Sequence, residues 1–227
     1  QSVLGTSLSK LKWVLIALTL INILIFGKGR SGYIACGLVM FWMAWHLLPG
    51  KKKWLAPLFP TLILSLSLQL SDRMHERWTE VEKDMNRYAR SGQLNESDLG
   101  SQGQRLNYWA RSLDMVQDHP VLGLGLGAWR MHYHQYGGLQ SDAPSNPHQQ
   151  YLLLASEGGL IGLALLLGWL TAIWRDAIGV VHGAALRGVL LIAVVIGLFN
   201  CPFYGVGLGE MLLLLFALFL KPASSQA

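Results

Sequence analysis

The residue best suited to chemistry in this chain is His148, in the run Asn146-Pro147-His148 that ends a long polar segment. Asn146 suits the cap of a helix and Pro147 suits its first turn, so we expect a helix to begin here. His148 would then lie in the positive field of a helix N-terminus, which favours a neutral imidazole. A neutral imidazole at this boundary could act as a general base. The alternative is that the histidine only marks the polar end of an apolar span.

Three arginines are candidates for contact with a phosphate group. Arg30 lies in a glycine-rich turn between two apolar runs, where a basic side chain could bind a phosphate or simply extend to a membrane interface. Arg105 and Arg111 are six positions apart, so on a helix they project in different directions. We expect Arg105, beside a loop, to face a site, and we assign Arg111 no more than a supporting position.

Glu157 is an ionisable residue inside an apolar run, followed by Gly158 and Gly159. On a straight helix it would lie about 13 Å beyond His148 at the usual rise per residue, and half a turn out of phase with it. We therefore predict a supporting structural role for Glu157, pairing with a cation or with freed backbone groups. The glycines indicate a face for close helix packing.

A metal centre is not predicted. His132 and His134 are two positions apart and would share a face only on a strand, and no cysteine or acidic cluster accompanies them. The sequence also lacks a phosphate-binding loop with its lysine. We therefore expect no cofactor.

The elements that position these residues are apolar runs, because a helix needs about 20 residues to cross a bilayer. Three precede the polar segment and three follow it: Trp13 to Phe26, Tyr33 to Leu48, Trp54 to Leu70, Tyr151 to Trp174, Val189 to Phe199 and Met211 to Leu220. The last two are short and must recruit flanking residues. Most lysines and arginines between the runs fall on one side of this arrangement, which the positive-inside rule makes cytoplasmic. The polar segment then lies outside, and its nearly balanced charge gives no indication of nucleic-acid binding.

The sequence thus predicts an all-α integral membrane protein in three parts. Residues 1–70 carry three spans, residues 71–147 form a large helical external loop with the candidate site, and residues 148–227 carry three more spans. Within the loop, an apolar stripe from Met74 to Tyr88 predicts one helix, and a second is predicted from Gln104 to Gln117. The apolar stripe of the second helix is formed by Leu106, Trp109, Leu113 and Val116. Gly123, Gly125 and Gly127 after it predict a tight connection that lets backbone approach closely.

Four segments together resemble the O-antigen ligase and polymerase superfamily. They are Arg105-Leu106-Asn107-Tyr108-Trp109, His119-Pro120-Val121-Leu122-Gly123-Leu124-Gly125, Pro147-His148-Gln149-Gln150-Tyr151-Leu152 and Glu157-Gly158-Gly159-Leu160-Ile161-Gly162. Arg30-Ser31-Gly32 also looks like an earlier arginine element of that family. Gln149 departs from the pattern, since many members have Asn after the histidine.

The resemblance implies a multi-pass protein of the bacterial inner membrane with its site on the periplasmic face. It implies transfer of a glycan from undecaprenyl diphosphate to lipid A–core oligosaccharide, with His148 as base and with Arg105 and Arg30 on the diphosphate. It also implies a reaction that inverts the configuration at the anomeric carbon and needs neither a metal nor ATP. Members usually carry about ten to twelve spans, so the six predicted here suggest the C-terminal part of a longer protein.

Two further kinds of function stay open. A polymerase of the same superfamily extends another carrier-linked chain, and related transferases modify protein serines. A transporter would instead carry ionisable residues along its midplane and matching broken helices in its two halves. Glu157 is the one deep ionisable residue in the predicted spans, so the sequence favours an enzyme.

Overall fold

The computed structural model describes two compact units, residues 1–78 and 79–227, and every regular element among the described residues is a helix. The residues that it describes are 30–58, 60–62, 65, 79, 82–83, 85–86, 89–90, 100–139, 143–180, 182–205 and 207–219. The predicted run from Trp13 to Phe26 lies outside these ranges, as do part of the run ending at Leu70 and most of the stripe from Met74 to Tyr88.

The first unit contains helix α1, Arg30–Leu47, followed by a 3-10 helix, Gly50–Leu55. The helix coincides closely with the predicted run from Tyr33 to Leu48. Cys36, Met40 and Ala44 are buried at a spacing of four residues, so one face of α1 is covered. Pro49 precedes the 3-10 helix, and the basic residues Lys51, Lys52 and Lys53 lie within it.

The second unit contains five helices in the part of the chain that the structure describes. They are α2, Ser101–Asp118; α3, Trp129–His132; α4, Gln150–Asp176; α5, Gly183–Ile196; and α6, Leu208–Phe219. The second half of α4 packs with α5 and α6 around an apolar core that includes Leu170, Leu190 and Phe216. As predicted, the last two apolar runs recruit flanking residues: α5 begins six residues before Val189 and α6 three before Met211.

Helix α4 is long and apolar enough to cross a membrane, whereas Ile34–Leu47 and Gly183–Ile196 are apolar but shorter. The described residues thus contain one helix that meets both requirements. The count of six spans and their orientation stay predictions.

Helix α4 is broken at Gly159, which has a φ of 62° and a ψ of −161°. The break leaves carbonyls at the end of the first half and amides at the start of the second half without helical partners. The segment after α2 meets both sets. Leu124 N donates to Ser156 O at 2.9 Å and Gly125 N to Glu157 O at 2.8 Å, while Leu160 N donates to Pro120 O at 2.8 Å. The two backbones are in direct contact, because a Cβ on Gly159 would lie 2.2 Å from Val121 O.

The buried face of α2 differs from the predicted stripe. Leu113 is 50% exposed, and the buried residues are Gly103, Asn107, Tyr108, Ser112 and Met115. The packed face of α2 is therefore not the apolar stripe of the sequence. The reason is that the polar side chains of Asn107 and Ser112 find hydrogen-bond partners inside the unit, which removes the cost of burying them.

Candidate functional site

His148 has a backbone conformation that is uncommon for a residue with a side chain, with a φ of 52°. Its amide donates to the side-chain oxygen of Asn146 at 2.9 Å, which closes a turn over Pro147. Helix α4 begins only at Gln150, and Gln149 caps it by accepting a hydrogen bond from the amide of Leu152. The expectation that Asn146 caps this helix and Pro147 forms its first turn is therefore wrong, because Asn146 is used by the turn that holds His148.

The imidazole of His148 faces Asn200, in the connection between α5 and α6. His148 Nδ1 lies 3.5 Å from Asn200 Oδ1. The same oxygen accepts a hydrogen bond from the amide of Cys201 at 2.9 Å, which fixes the orientation of the Asn200 amide group. Because Asn200 presents an acceptor, this contact favours the tautomer of a neutral His148 in which Nδ1 carries the proton. Nε2 then carries the lone pair, so the ring is in the tautomer that could accept a proton there.

One face of α2 covers His148 from the other side. Arg105, Tyr108 and Trp109 lie on this face at positions i, i+3 and i+4. Trp109 Nε1 donates to Pro147 O at 3.1 Å, and the ring centroids of Tyr108 and His148 are 6.2 Å apart. The two contacts attach the turn before α4 to the middle of α2, one turn away from Arg105.

Burial lowers the pKa of His148, the hydrogen bond that its ring donates to Asn200 opposes this by raising the pKa, and the positive charge of Arg105 lowers it further. The direction has a chemical consequence, because a histidine with a lowered pKa is neutral at pH 7 and is ready to accept a proton. The same observation places the guanidinium of Arg105 close enough to His148 for their charges to interact.

A buried network of aromatic and polar residues supports the α2 face. Trp129 Nε1 donates to Ser112 Oγ at 2.7 Å, and Tyr133 OH donates to Asn107 Oδ1 at 2.8 Å. Tyr108 packs against both rings, with centroid distances of 6.1 Å to Trp129 and 5.7 Å to Tyr133. Because these hydrogen bonds are buried, the network holds α2 in a fixed rotation about its axis and so fixes the direction of Arg105.

The predicted supporting residues Arg111 and Glu157 have partners of their own. Arg111 Nη1 donates to Tyr136 O at 2.8 Å and lies 3.1 Å from Asp114 Oδ2, so this guanidinium attaches α2 to the segment after α3. Glu157 is buried, and its Oε1 accepts a hydrogen bond from the amide of Trp129 at 3.2 Å. Arg30 is the first residue of α1 and belongs to the first unit. The structure thus brings Arg105 and His148 together within the second unit.

Two histidines and one cysteine of the second unit have different environments. His132 Nδ1 lies 3.0 Å from Ala128 O, and His134 is exposed. Burial raises the pKa of Cys201 to about 12, so its thiol stays protonated at neutral pH. Among the residues that the structure describes, no three His, Cys, Asp or Glu side chains are grouped as metal ligands.

Asn200 and Tyr108 are the residues of this site that the sequence reasoning missed. Asn200 follows an apolar run and precedes Cys201 and Pro202, so a polar residue at the end of a span was the available indication. Its distance of 52 positions from His148 along the chain hid the pairing. Tyr108 lies in the segment Arg105-Leu106-Asn107-Tyr108-Trp109 that resembles the family, but no role was predicted for it.

Comparison with known proteins identifies the family to which the chain belongs. No curated protein and no solved structure matches the sequence. The family model described as O-antigen ligase matches residues 15–167, more than half of the chain, including Arg105, His148 and Glu157. The chain therefore belongs to the O-antigen ligase family, a group of membrane proteins that contains glycan ligases and polymerases.

Proposed function

We propose that this protein is the O-antigen ligase of lipopolysaccharide biosynthesis, an inverting glycosyltransferase that moves a glycan from undecaprenyl diphosphate to lipid A–core oligosaccharide. The observation that carries the proposal is the arrangement of Asn200, His148 and Arg105. It supplies a neutral imidazole whose Nε2 is the basic nitrogen, close to a permanent positive charge.

The proposed step needs only these groups. A hydroxyl of the acceptor attacks the anomeric carbon of the donor sugar while its proton passes to His148 Nε2. The new bond joins the acceptor oxygen to that carbon, and the bond from the carbon to the diphosphate oxygen breaks on the opposite face. Direct displacement of this kind inverts the configuration at the anomeric carbon. Arg105 stabilises the negative charge that develops on the leaving diphosphate.

Arg30 is proposed as a second ligand of the diphosphate. Its support is a position between glycines in the sequence, at the start of α1. We further propose that the protein spans the bacterial inner membrane several times, with His148 and Arg105 on the periplasmic face. ATP is not expected on that face, and the diphosphate of the donor is itself an activated leaving group, so no cofactor is assigned.

The product that accumulates in cells lacking this protein tests the proposal. A ligase defect should leave fully polymerised glycan on the lipid carrier and lipid A–core without glycan. Accumulation of single carrier-linked repeat units would instead identify a polymerase. Normal lipopolysaccharide combined with loss of glycan from protein serines would identify a protein transferase. Complementation with the wild-type gene, and with the His148→Ala gene at matched expression, separates the loss of this site from effects on neighbouring genes.

A further inference from the structure

The loop between α2 and α3, residues 120–128, has no charged residue and presents large apolar side chains to the outside. We call it the glycine-rich loop. Leu122 is 73% exposed and Leu126 is 83% exposed, and Val121 is also exposed. Charged residues flank the loop, with Asp118 before it and Arg130 after it. Exposed leucines on a water-facing turn would be costly, whereas contact with hydrocarbon removes that cost.

Part of the backbone of the glycine-rich loop meets the main requirement for entry into a membrane, which is internal pairing of its polar groups. Its amides at Leu124 and Gly125 donate to the carbonyls of Ser156 and Glu157 in α4. In the other direction, the carbonyls of Pro120 and Val121 accept from the amides of Leu160 and Ile161. Gly123 N and Ala128 N donate within the segment, to His119 O and Gly125 O. With these amides and carbonyls paired, the loop depends less on water than an irregular segment without such contacts.

The pairing also makes the loop continuous with the apolar surface of α4. Val121 is joined to Ile161 and Pro120 to Leu160 through the backbone, and both Leu160 and Ile161 are exposed. These residues begin the second half of α4, the helix that is long and apolar enough to cross a membrane. The exposed loop side chains therefore extend a surface that would itself contact lipid if α4 spans the bilayer.

We propose that the glycine-rich loop is inserted in the membrane beside the break of α4, with Leu122 and Leu126 in contact with lipid hydrocarbon. Asp118 and Arg130 then lie at the level of the head groups and limit the depth of insertion. The proposal rests on the proposed membrane location of α4. It assigns the loop a second task besides pairing with α4, which is to attach the unit carrying His148 to the membrane surface.

Spin-label accessibility in reconstituted vesicles tests this proposal. Leu122→Cys and Leu126→Cys would be made in the full chain, labelled with a nitroxide, and exposed to oxygen, which concentrates in hydrocarbon, and to a water-soluble nickel chelate. The unmutated protein gives the background, because Cys36 and Cys201 are buried. Ser145→Cys, at an exposed polar position, provides the water reference, and Leu165→Cys, at an exposed position in the second half of α4, provides the lipid reference.

Labels at Leu122 and Leu126 should resemble the label at Leu165, colliding more often with oxygen than with the nickel chelate. A response like that of Ser145 would overturn the proposal, and so would protection from both reagents, which would mean that protein covers the loop. If the Leu165 label itself collides with the nickel chelate, then α4 does not span the membrane and the proposed function loses its membrane arrangement. Transfer of glycan by the labelled variants, measured in parallel, separates failure of insertion from failure of the enzyme.

Discussion

Asn200 Oδ1 lies 3.5 Å from His148 Nδ1 and accepts the amide of Cys201 at 2.9 Å, so one side-chain oxygen connects the turn before α4 to the turn after α5. This connection orients the imidazole and determines which of its nitrogens is basic. It acts on the reaction through His148, so Asn200 is a positioning residue in our account. Its removal should change the pH dependence of the enzyme as well as its rate.

Replacement of Asn200 should move the acid limb of the pH–rate profile in a direction set by the new side chain. The hydrogen bond that His148 donates to Asn200 raises the pKa of His148. Asn200→Leu removes this hydrogen bond, so the pKa of His148 falls. His148 then stays neutral to lower pH, and the acid limb of the profile moves to lower pH. The rate at pH 7 should fall about three- to tenfold, since one hydrogen bond contributes about 0.5–1.5 kcal/mol.

Asn200→Asp is the matched variant, because a carboxylate keeps the acceptor but adds a negative charge. The pKa of His148 should rise, and the acid limb should move to higher pH. The measurement is the rate of transfer between pH 5 and 8 for wild type and both variants. If both variants lower the rate without moving the acid limb of the pH–rate profile, then Asn200 supports the fold of the turn and does not position the imidazole of His148.

Replacement of Arg105 by Gln should reduce transfer and move the acid limb to higher pH. The positive charge of Arg105 lowers the pKa of His148, so its loss makes the imidazole easier to protonate and inactivates the enzyme at a higher pH than in wild type. Arg105→Lys should leave the limb nearly in place but recover only part of the rate, because lysine cannot make a bidentate contact with a phosphate. Arg111→Gln is the control, since Arg111 is engaged by Tyr136 O and Asp114. An equal loss of rate in the Arg105 and Arg111 variants, with no shift of the limb in either, would contradict the assignment.

Replacement of Gly159 by Ala should destabilise the protein, whereas Gly158→Ala should not. A Cβ on Gly159 would lie 2.2 Å from Val121 O, and its φ of 62° is unfavourable for other residues. Backbone strain and overpacking together should cost about 2–5 kcal/mol. A Cβ on Gly158 meets nothing within 4 Å, and alanine favours helix there by about 1 kcal/mol. Thermal unfolding in detergent measures both variants. Similar stability of the two would mean that the backbone contact with the glycine-rich loop does not hold α4.

Transfer should proceed without added metal or nucleotide. The proposed step uses the imidazole of His148 and the charge of Arg105, and the donor carries its own leaving group. Purified protein with carrier-linked glycan and acceptor should therefore keep its full rate in excess EDTA without ATP. Loss of the rate on chelation and its recovery with one added metal would instead direct attention to His132 and His134.

The sequence predicted the helical class and the family correctly, because long apolar runs and a compound motif are local features. It also separated Arg105 from Arg111, since six positions on a helix set their directions. It did not predict the cap at Gln149, because Asn146 is a better cap by residue type and is used instead by the turn at His148.

Partners far along the chain were beyond prediction. The buried face of α2 carries Asn107 and Ser112. The partner of Asn107 is Tyr133, just after α3, and the partner of Ser112 is Trp129, in α3. The break of α4 is equally nonlocal. Gly158 and Gly159 indicated close packing, but the partner proved to be the backbone of the glycine-rich loop, which satisfies the amides and carbonyls that the break exposes.

The measurement that tests the account most directly is transfer by purified His148→Ala protein, compared with His134→Ala. His134 is exposed, so its replacement should leave the rate unchanged and controls for handling and insertion. Loss of a general base typically costs about 10²–10⁴-fold, so the His148→Ala rate should fall below about one per cent of wild type at equal expression. The wild-type product should have the anomeric configuration opposite to that of the donor. A His148→Ala protein that transfers glycan at more than about one per cent of the wild-type rate, or a wild-type product with retained configuration, would contradict His148 as the base.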